Sequence, residues 1–286
     1  MVEEEPSEAD AGDGLEVDGF RKNHVVTSGA CRPKDPAAQK KGLPKFVFVA
    51  GIEGSGHHAL KDVWWSLEKA GVKLKLVVYD QVFHSLGIEN HASYHYSSIQ
   101  KAEYVKHMGP TFEQARMDGS IVIDAQNSYP MGKGAGPLAH PDLLMLSELD
   151  GVLFDLRVIV LFRDPVDASL SAVRRFQNNE QYLYKNVEFQ ARMVSESLVN
   201  IHNALPHMPC DHYLVIDYER LIHHPRDFIG PLEELVGAQH DVLHGAFEKL
   251  TPREKKPDSP EKAAQRALLQ SFFTVQEKLW PWLAST

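Results

Sequence analysis

Cysteine is nearly absent from this chain, which has two in 286 residues. No disulfide framework of the kind that staples small secreted domains is available, and neither Cys31 nor Cys210 has the neighbouring cysteine or histidine of a zinc motif. A reducing compartment is expected. Long apolar runs are missing too: nothing reaches the roughly eighteen residues that a membrane-crossing helix needs. The opening MVEEEPSEADAGDG lacks the apolar core of a secretory signal and is too acidic for an organellar transit peptide. A cytoplasmic location without a membrane span follows as the expectation. Positive charge is in deficit, with a net charge of −9 and a pI near 5.9, which argues against a nucleic-acid partner. Histidine is plentiful at 15 residues, but the residues are scattered and form no HExxH pattern, so no metal site is expected.

What remains is a chain with enough apolar material, 43% of its residues, for one sizeable core. Residues 1–44 are polar, acidic before Phe20 and basic in RPKDPAAQKK, and read as a disordered tail. Residues 45–286 read as one α/β domain.

The domain is organised around Lys45 to Ala70. Phe46 to Ala50 is an unbroken apolar run, as in a strand buried on both faces of a parallel sheet. GIEGSGHH follows, and then Leu60, Val63, Trp64 and Leu67 form one stripe of a helix that Gly71 stops. A strand, a glycine loop and a helix N-terminus make an anion site, because the first helical N–H groups lack partners and the helix dipole favours negative charge. Gly51, Gly54 and Gly56 allow sharp turning and close approach of the backbone to a phosphate. The Gly51 to Gly56 spacing is that of a nucleotide-binding P-loop, yet His57 and His58 stand where that motif has Lys and Ser or Thr. A tight connection with no ligand is the alternative.

LKLVVY, from Leu74 to Tyr79, makes a second strand. Asp80 and His84 then sit where parallel sheets gather their ligands, or else belong to a polar surface connection with His91 and His95. A helical stretch from about Ser98 to Met117, interrupted at Gly109 and Pro110, leads to the strand IVID. Asp124 at its end is a magnesium-holding acid, a cap or a base. A Gly- and Pro-rich loop and a short helix, Pro141 to Leu149, come next. RVIVLFRDPVDASLSAVRRF is a central strand running into a helix that opens at Pro165. Arg163 ends the strand, and Ser169 and Ser171 lie on the helix, so a guanidinium fork and a hydroxyl are offered together, as a phosphate monoester requires.

RDPVDASLSAVRRF resembles the 3′-phosphate-binding segment of sulfotransferases, with Arg163, Pro165 and Ser171 in the places of that pattern. GIEGSGHHAL resembles the same family's 5′-phosphosulfate loop, and HYLVIDYERLIHHP its fifth strand with Tyr-Glu-x-Leu and a following proline. The resemblance spans roughly Lys45 to Pro225. It implies a three-layer P-loop-type parallel sheet flanked by helices and the donor 3′-phosphoadenosine-5′-phosphosulfate. It also implies a small-molecule or glycan acceptor with a hydroxyl or amine. Gly54, Ser55, Gly56, His57 and His58 would hold the 5′-phosphosulfate, and Arg163 and Ser171 the 3′-phosphate. Arg253, Lys255 and Lys256 are candidates for the basic loop that folds over that phosphate, or form a solvated turn.

Two departures stand out. The family's loop cation, just before Ser-Gly, is replaced by Gly54, so His57 is expected to steady the departing charge. No histidine follows the third strand, so Asp80, with His84 second, is expected to act as base. The rival readings are a small-molecule P-loop kinase and a non-catalytic nucleotide-binding protein.

Overall fold

In the computed structural model, residues 42–52, 54–77, 96–124, 143–176, 186–250 and 257–279 are described. The central strand β1, Lys45–Gly51, alternates its side chains between two apolar environments. Phe46 and Phe48 face one core, and Val47 and Val49 face the other. A strand buried on both faces must have helices on both sides, and that requirement fixes the layering.

Around β1 the sheet runs β2-β3-β1-β4-β5, with β2 Leu74–Val77, β3 Ile121–Asp124, β4 Asp155–Phe162 and β5 Tyr213–Asp217. All four pairings are parallel. Helix α1, His57–Lys69, lies on the Val47 face. With it are α7, Ile229–Val236, and α8, His240–Phe247. The Phe46 face is covered by α2, Tyr96–Asp118, α3, Leu143–Leu149, and part of α5, Val187–Ala204. There the rings of Phe46, Phe112 and Phe154 meet pairwise with centroids 4.8 to 5.2 Å apart, the tilted and edge contacts that aromatic quadrupoles favour. A third, smaller core joins Ile52 to α4, Pro165–Phe176, to α5 and to α9, Pro260–Leu279. The expected three-layer α/β architecture is therefore present.

Local punctuation follows the sequence with one exception. Asp164 caps α4, its Oδ1 accepting from Asp167 N at 2.8 Å, and Pro165 takes the first helical position. Gly237 ends α7 in the left-handed region, and Lys45 Nζ donates to the Val236 carbonyl there at 2.8 Å. The exception is α2, which continues through Gly109 and Pro110 rather than breaking. A proline costs one ladder bond and crowds the preceding turn, while Tyr104, Met108 and Phe112 on either side of it are buried in the Phe46 core, so packing outweighs the local breaker.

Cys210, in the turn Cys210–His212 that leads into β5, is disulfide-bonded. Cys31, the sequence's other cysteine, lies outside the described residues. Structural disulfides persist mostly in oxidising surroundings. Among the described residues no helix is long and apolar enough to cross a membrane. Residues 1–41, the expected tail, lie outside them.

Candidate functional site

The C-terminal edges of β1 and β4 are adjacent, with Gly51 in register with Leu161. The two motifs that leave those edges are therefore neighbours by construction. After β1 the chain turns through Gly54 at φ +89° and Gly56 at φ +103°, conformations that a Cβ would penalise. Gly56 is the N-cap of α1, with no side-chain cap and no acid in the first turn. The positive end of the helix is thus left for something other than the helix's own side chains.

The glycines have a second reason to be glycine. A Cβ on Gly54 would stand 2.2 Å from the Ala168 carbonyl oxygen, and one on Gly56 would stand 2.2 Å from the Tyr218 ring. On Gly51 it would meet Leu161, Ser55 and the His57 ring. The loop is pressed onto α4 and onto α6, Tyr218–His223, so those glycine faces serve packing against protein rather than approach to a ligand. Ser55 is equally committed: it is buried, and its hydroxyl donates to the Ile52 carbonyl.

The paired histidines divide. His57 is 5% exposed, and its Nε2 makes no hydrogen bond. Burial, followed by the nearby His58 and Arg175, lowers its pKa from the ordinary value to about 3. The ring is tucked against the Gly51 backbone, and this burial favours its neutral form. His58, the next residue, is exposed.

Arg163 leaves β4 and turns to the loop. Its Nη1 donates to the Gly54 carbonyl at 2.8 Å, and its guanidinium lies 4.5 Å from the centroid of the Tyr218 ring. Nη2 meets Glu219 Oε1 at 3.5 Å. The loop and the Arg-x-Pro motif, expected to form two cradles, thus share a hydrogen bond. Tyr218 touches both, so YERL is the clasp between them; sequence reasoning identified that segment but read it only as a strand running into a helix.

On α4 the two serines also divide. Ser169 is buried, and its hydroxyl donates to the Pro165 carbonyl at 2.6 Å. Ser171 is half-buried. It lies three residues beyond Ala168, the residue that meets Gly54, and so on the same face of the helix. Arg175, four residues beyond Ser171, continues that stripe, and its charge reaches the His57 ring. Helix α9 is fastened to the start of α4, where Arg266 Nη1 donates to Asp167 Oδ1 at 2.8 Å while its Nε donates to Asp258 Oδ2 at 2.6 Å.

Asp124 is buried at the end of β3. Asp80, His84, Lys255 and Lys256 lie outside the described residues, as do Arg253 and the connection between β3 and α3. One cluster that spacing did not announce brings Asp150, Asp155 and His212 together, with candidate ligand atoms within 4.8 Å. It sits at the start of β4, the opposite end of the strand from Arg163, where Asp150 Oδ1 accepts from Leu156 N at 2.8 Å and Asp155 pairs with Arg157 at 2.9 Å.

Comparison with known proteins places this geometry. No curated protein matches the sequence. Three solved structures resemble the chain. The sulfotransferase domain of the Synechococcus PCC 7002 olefin synthase has a TM-score of 0.42 and 16% identity over 85% of this chain and 98% of its own. For the sulfotransferase from Alicyclobacillus acidocaldarius the values are 0.46 and 13%, over 82% and 95%. For the sulfotransferase domain from the curacin biosynthetic pathway they are 0.43 and 16%, over 80% and 98%. A family model described as the sulfotransferase family matches residues 63–241. That stretch contains Arg163, Ser171 and Tyr218–Leu221, and the glycine loop lies just ahead of it. With well over half of its length matched, the chain belongs to the sulfotransferase family.

Proposed function

We propose that this sulfotransferase uses 3′-phosphoadenosine-5′-phosphosulfate and transfers its sulfuryl group to a hydroxyl or amine of a small-molecule or glycan acceptor. The observation that carries the reading is the 2.8 Å hydrogen bond from Arg163 to the Gly54 carbonyl, which puts a guanidinium fork beside an uncapped helix N-terminus. A nucleotide bearing phosphates at both ends of its ribose needs two anion sites, and a nucleoside triphosphate does not.

In this reading the backbone N–H groups of Gly54 and of Gly56 to His58 bind the 5′-phosphosulfate, with the exposed His58 imidazole beside them, while Ser55 N stays bonded to the Ile52 carbonyl at 3.1 Å. Arg163 and Ser171 bind the 3′-phosphate. Lys255 and Lys256 cover it, on a segment that ends near Asp258, itself tied through Arg266 to the first turn of α4. The donor supplies an activated sulfuryl group, and the transfer needs in-line positioning and stabilisation of charge on the bridging oxygen. With burial favouring the neutral form of His57, this reading gives that stabilisation to the loop amides, His58 and Arg175. Asp80, with His84 second, withdraws the acceptor proton. The disulfide at Cys210 favours an oxidising compartment over the cytoplasm.

The test compares ligands on the full chain. Adenosine 3′,5′-bisphosphate at about one hundred times its Kd should stabilise the protein by about 2.7 kcal/mol, and Mg-ATP should not. The Arg163→Ala variant should lose about 2 kcal/mol of bisphosphate binding. Stabilisation by Mg-ATP alone would assign the loop to a kinase. Bisphosphate binding with no sulfate transfer across hydroxyl, amine and glycan acceptors would leave a nucleotide-binding protein.

A further inference from the structure

The Arg163 guanidinium is held on one face and one corner, and the state of its remaining edge points to a role for Glu219. The Tyr218 ring takes the face at 4.5 Å, and the Gly54 carbonyl takes Nη1 at 2.8 Å. The edge left over is Nε with Nη2, one of the edges at which a guanidinium grips an oxyanion through two parallel bonds. Nε is buried and makes no hydrogen bond. Nη2 has Glu219 Oε1 at 3.5 Å, too far for a good charge-assisted bond. A fork edge with one nitrogen unsatisfied and the other loosely paired is underused, and a buried unsatisfied N–H is costly.

Glu219 is also the more exposed partner, with its side chain 39% exposed against 16% for Arg163. It sits in the first turn of α6, next to Tyr218, and its carboxylate reaches the guanidinium from the rim. We propose that Glu219 is an internal competitor that occupies the Arg163 edge in the empty chain, is displaced by the 3′-phosphate and thereby holds down the affinity for a 3′-phosphorylated nucleotide. The inference rests on the reading of Arg163 as the 3′-phosphate site. A phosphate monoester brings nearly two negative charges and three acceptor oxygens, so it can take the edge in bidentate fashion and repel the carboxylate outward. A ribose 3′-hydroxyl brings neither, and Glu219 stays in place. A nucleotide with phosphate only at the 5′ end therefore gains nothing from Arg163.

The experiment titrates adenosine 3′,5′-bisphosphate and, separately, adenosine 5′-phosphate into the full-length chain by calorimetry. Wild type is compared with Glu219→Gln and Glu219→Ala, each shown to be folded by its thermal transition. Wild type should prefer the bisphosphate. Both variants should bind it about two- to fivefold more tightly, the fold-change that corresponds to about 0.4 to 1 kcal/mol for a partly exposed ion pair. Affinity for the 5′-phosphate should not change. If wild type prefers the bisphosphate but the variants bind it equally or less tightly, Glu219 is not the competing group and the Arg163 site stands without it. Equal wild-type affinity for both nucleotides overturns the Arg163 site and this proposal together.

Discussion

Replacing Gly54 by lysine restores the residue type that sulfotransferases usually carry just before Ser-Gly, and the structure predicts that the restoration fails. The position is closed twice. Its φ of +89° costs an L side chain about 1 to 2 kcal/mol. Its Cβ would stand 2.2 Å from the Ala168 carbonyl oxygen, 3.0 Å from the carbonyl carbon and 3.2 Å from the Cα. Those atoms are helix backbone and cannot swing away as a side-chain tip would, so the loop or α4 must shift, at about 1 to 3 kcal/mol. A shifted loop also moves the Gly54 carbonyl away from Arg163 Nη1, removing a bond worth about 1.5 kcal/mol or more.

The sum is about 3.5 to 6.5 kcal/mol for Gly54→Ala and for Gly54→Lys alike, because the obstruction is at Cβ. Gly71→Ala isolates the backbone contribution: its φ is +90°, yet nothing lies within 4 Å of its Cβ position, so it should cost only about 1 to 2 kcal/mol. Urea unfolding of the three variants measures the difference, and bisphosphate titration of the Gly54 variants should show weakened binding. If Gly54→Ala costs no more than Gly71→Ala, the contact between the loop and α4 is wrong. If Gly54→Lys is as stable as wild type and binds nucleotide more tightly, the loop has room for its own cation and His58 and Arg175 need not compensate.

Three further outcomes follow from the same geometry. His57 has a folded pKa of about 3 against about 6.5 unfolded, so the unfolded chain binds the extra proton in between. Its contribution to stability is present above about pH 6.5 and lost as pH falls, at about 1.4 kcal/mol per unit. Urea titrations should show about 2 kcal/mol less stability at pH 5 than at pH 7 from this residue, and His57→Gln should remove that part; an unchanged pH dependence in the variant would refute the burial argument. Ser171→Ala should weaken bisphosphate binding by about 1 kcal/mol, while Ser169→Ala, which removes a bond internal to α4, should leave calorimetric affinity unchanged; the opposite order would exchange their roles. Cys210 should resist alkylation in denatured protein until a reductant is added, as peptide mass spectrometry can read; ready alkylation without reductant would refute the disulfide.

Periodicity made the architecture legible. Phe46 to Ala50 is apolar at every position because both faces are buried, and the Leu60 to Leu67 stripe gave α1 its buried side. Orientation was less legible, because it depends on what lies across from a residue. His57 and His58 are adjacent and identical, but the first turns under the loop and the second outward. The same applies to Ser169 and Ser171, which differ by 200° around a helix. The disulfide at Cys210 was hidden for a further reason: its cysteines share no spacing pattern, and two of them say nothing about proximity.

The glycines show why a motif can be identified for one reason and retained for another. A phosphate-binding loop needs glycine so that the backbone can turn and come close to a ligand. Here Gly54 and Gly56 do turn, but the space their side chains would fill belongs to Ala168 and Tyr218. Loop, α4 and α6 are consequently one packed unit, with Arg163 bonded to the first, lying at the start of the second and stacked on the third. Such a unit cannot accept a lysine at its centre, so the missing cation is a consequence of the packing. Under the proposed function, charge for the reaction then enters from exposed residues instead, and His58 and Arg175 are both exposed.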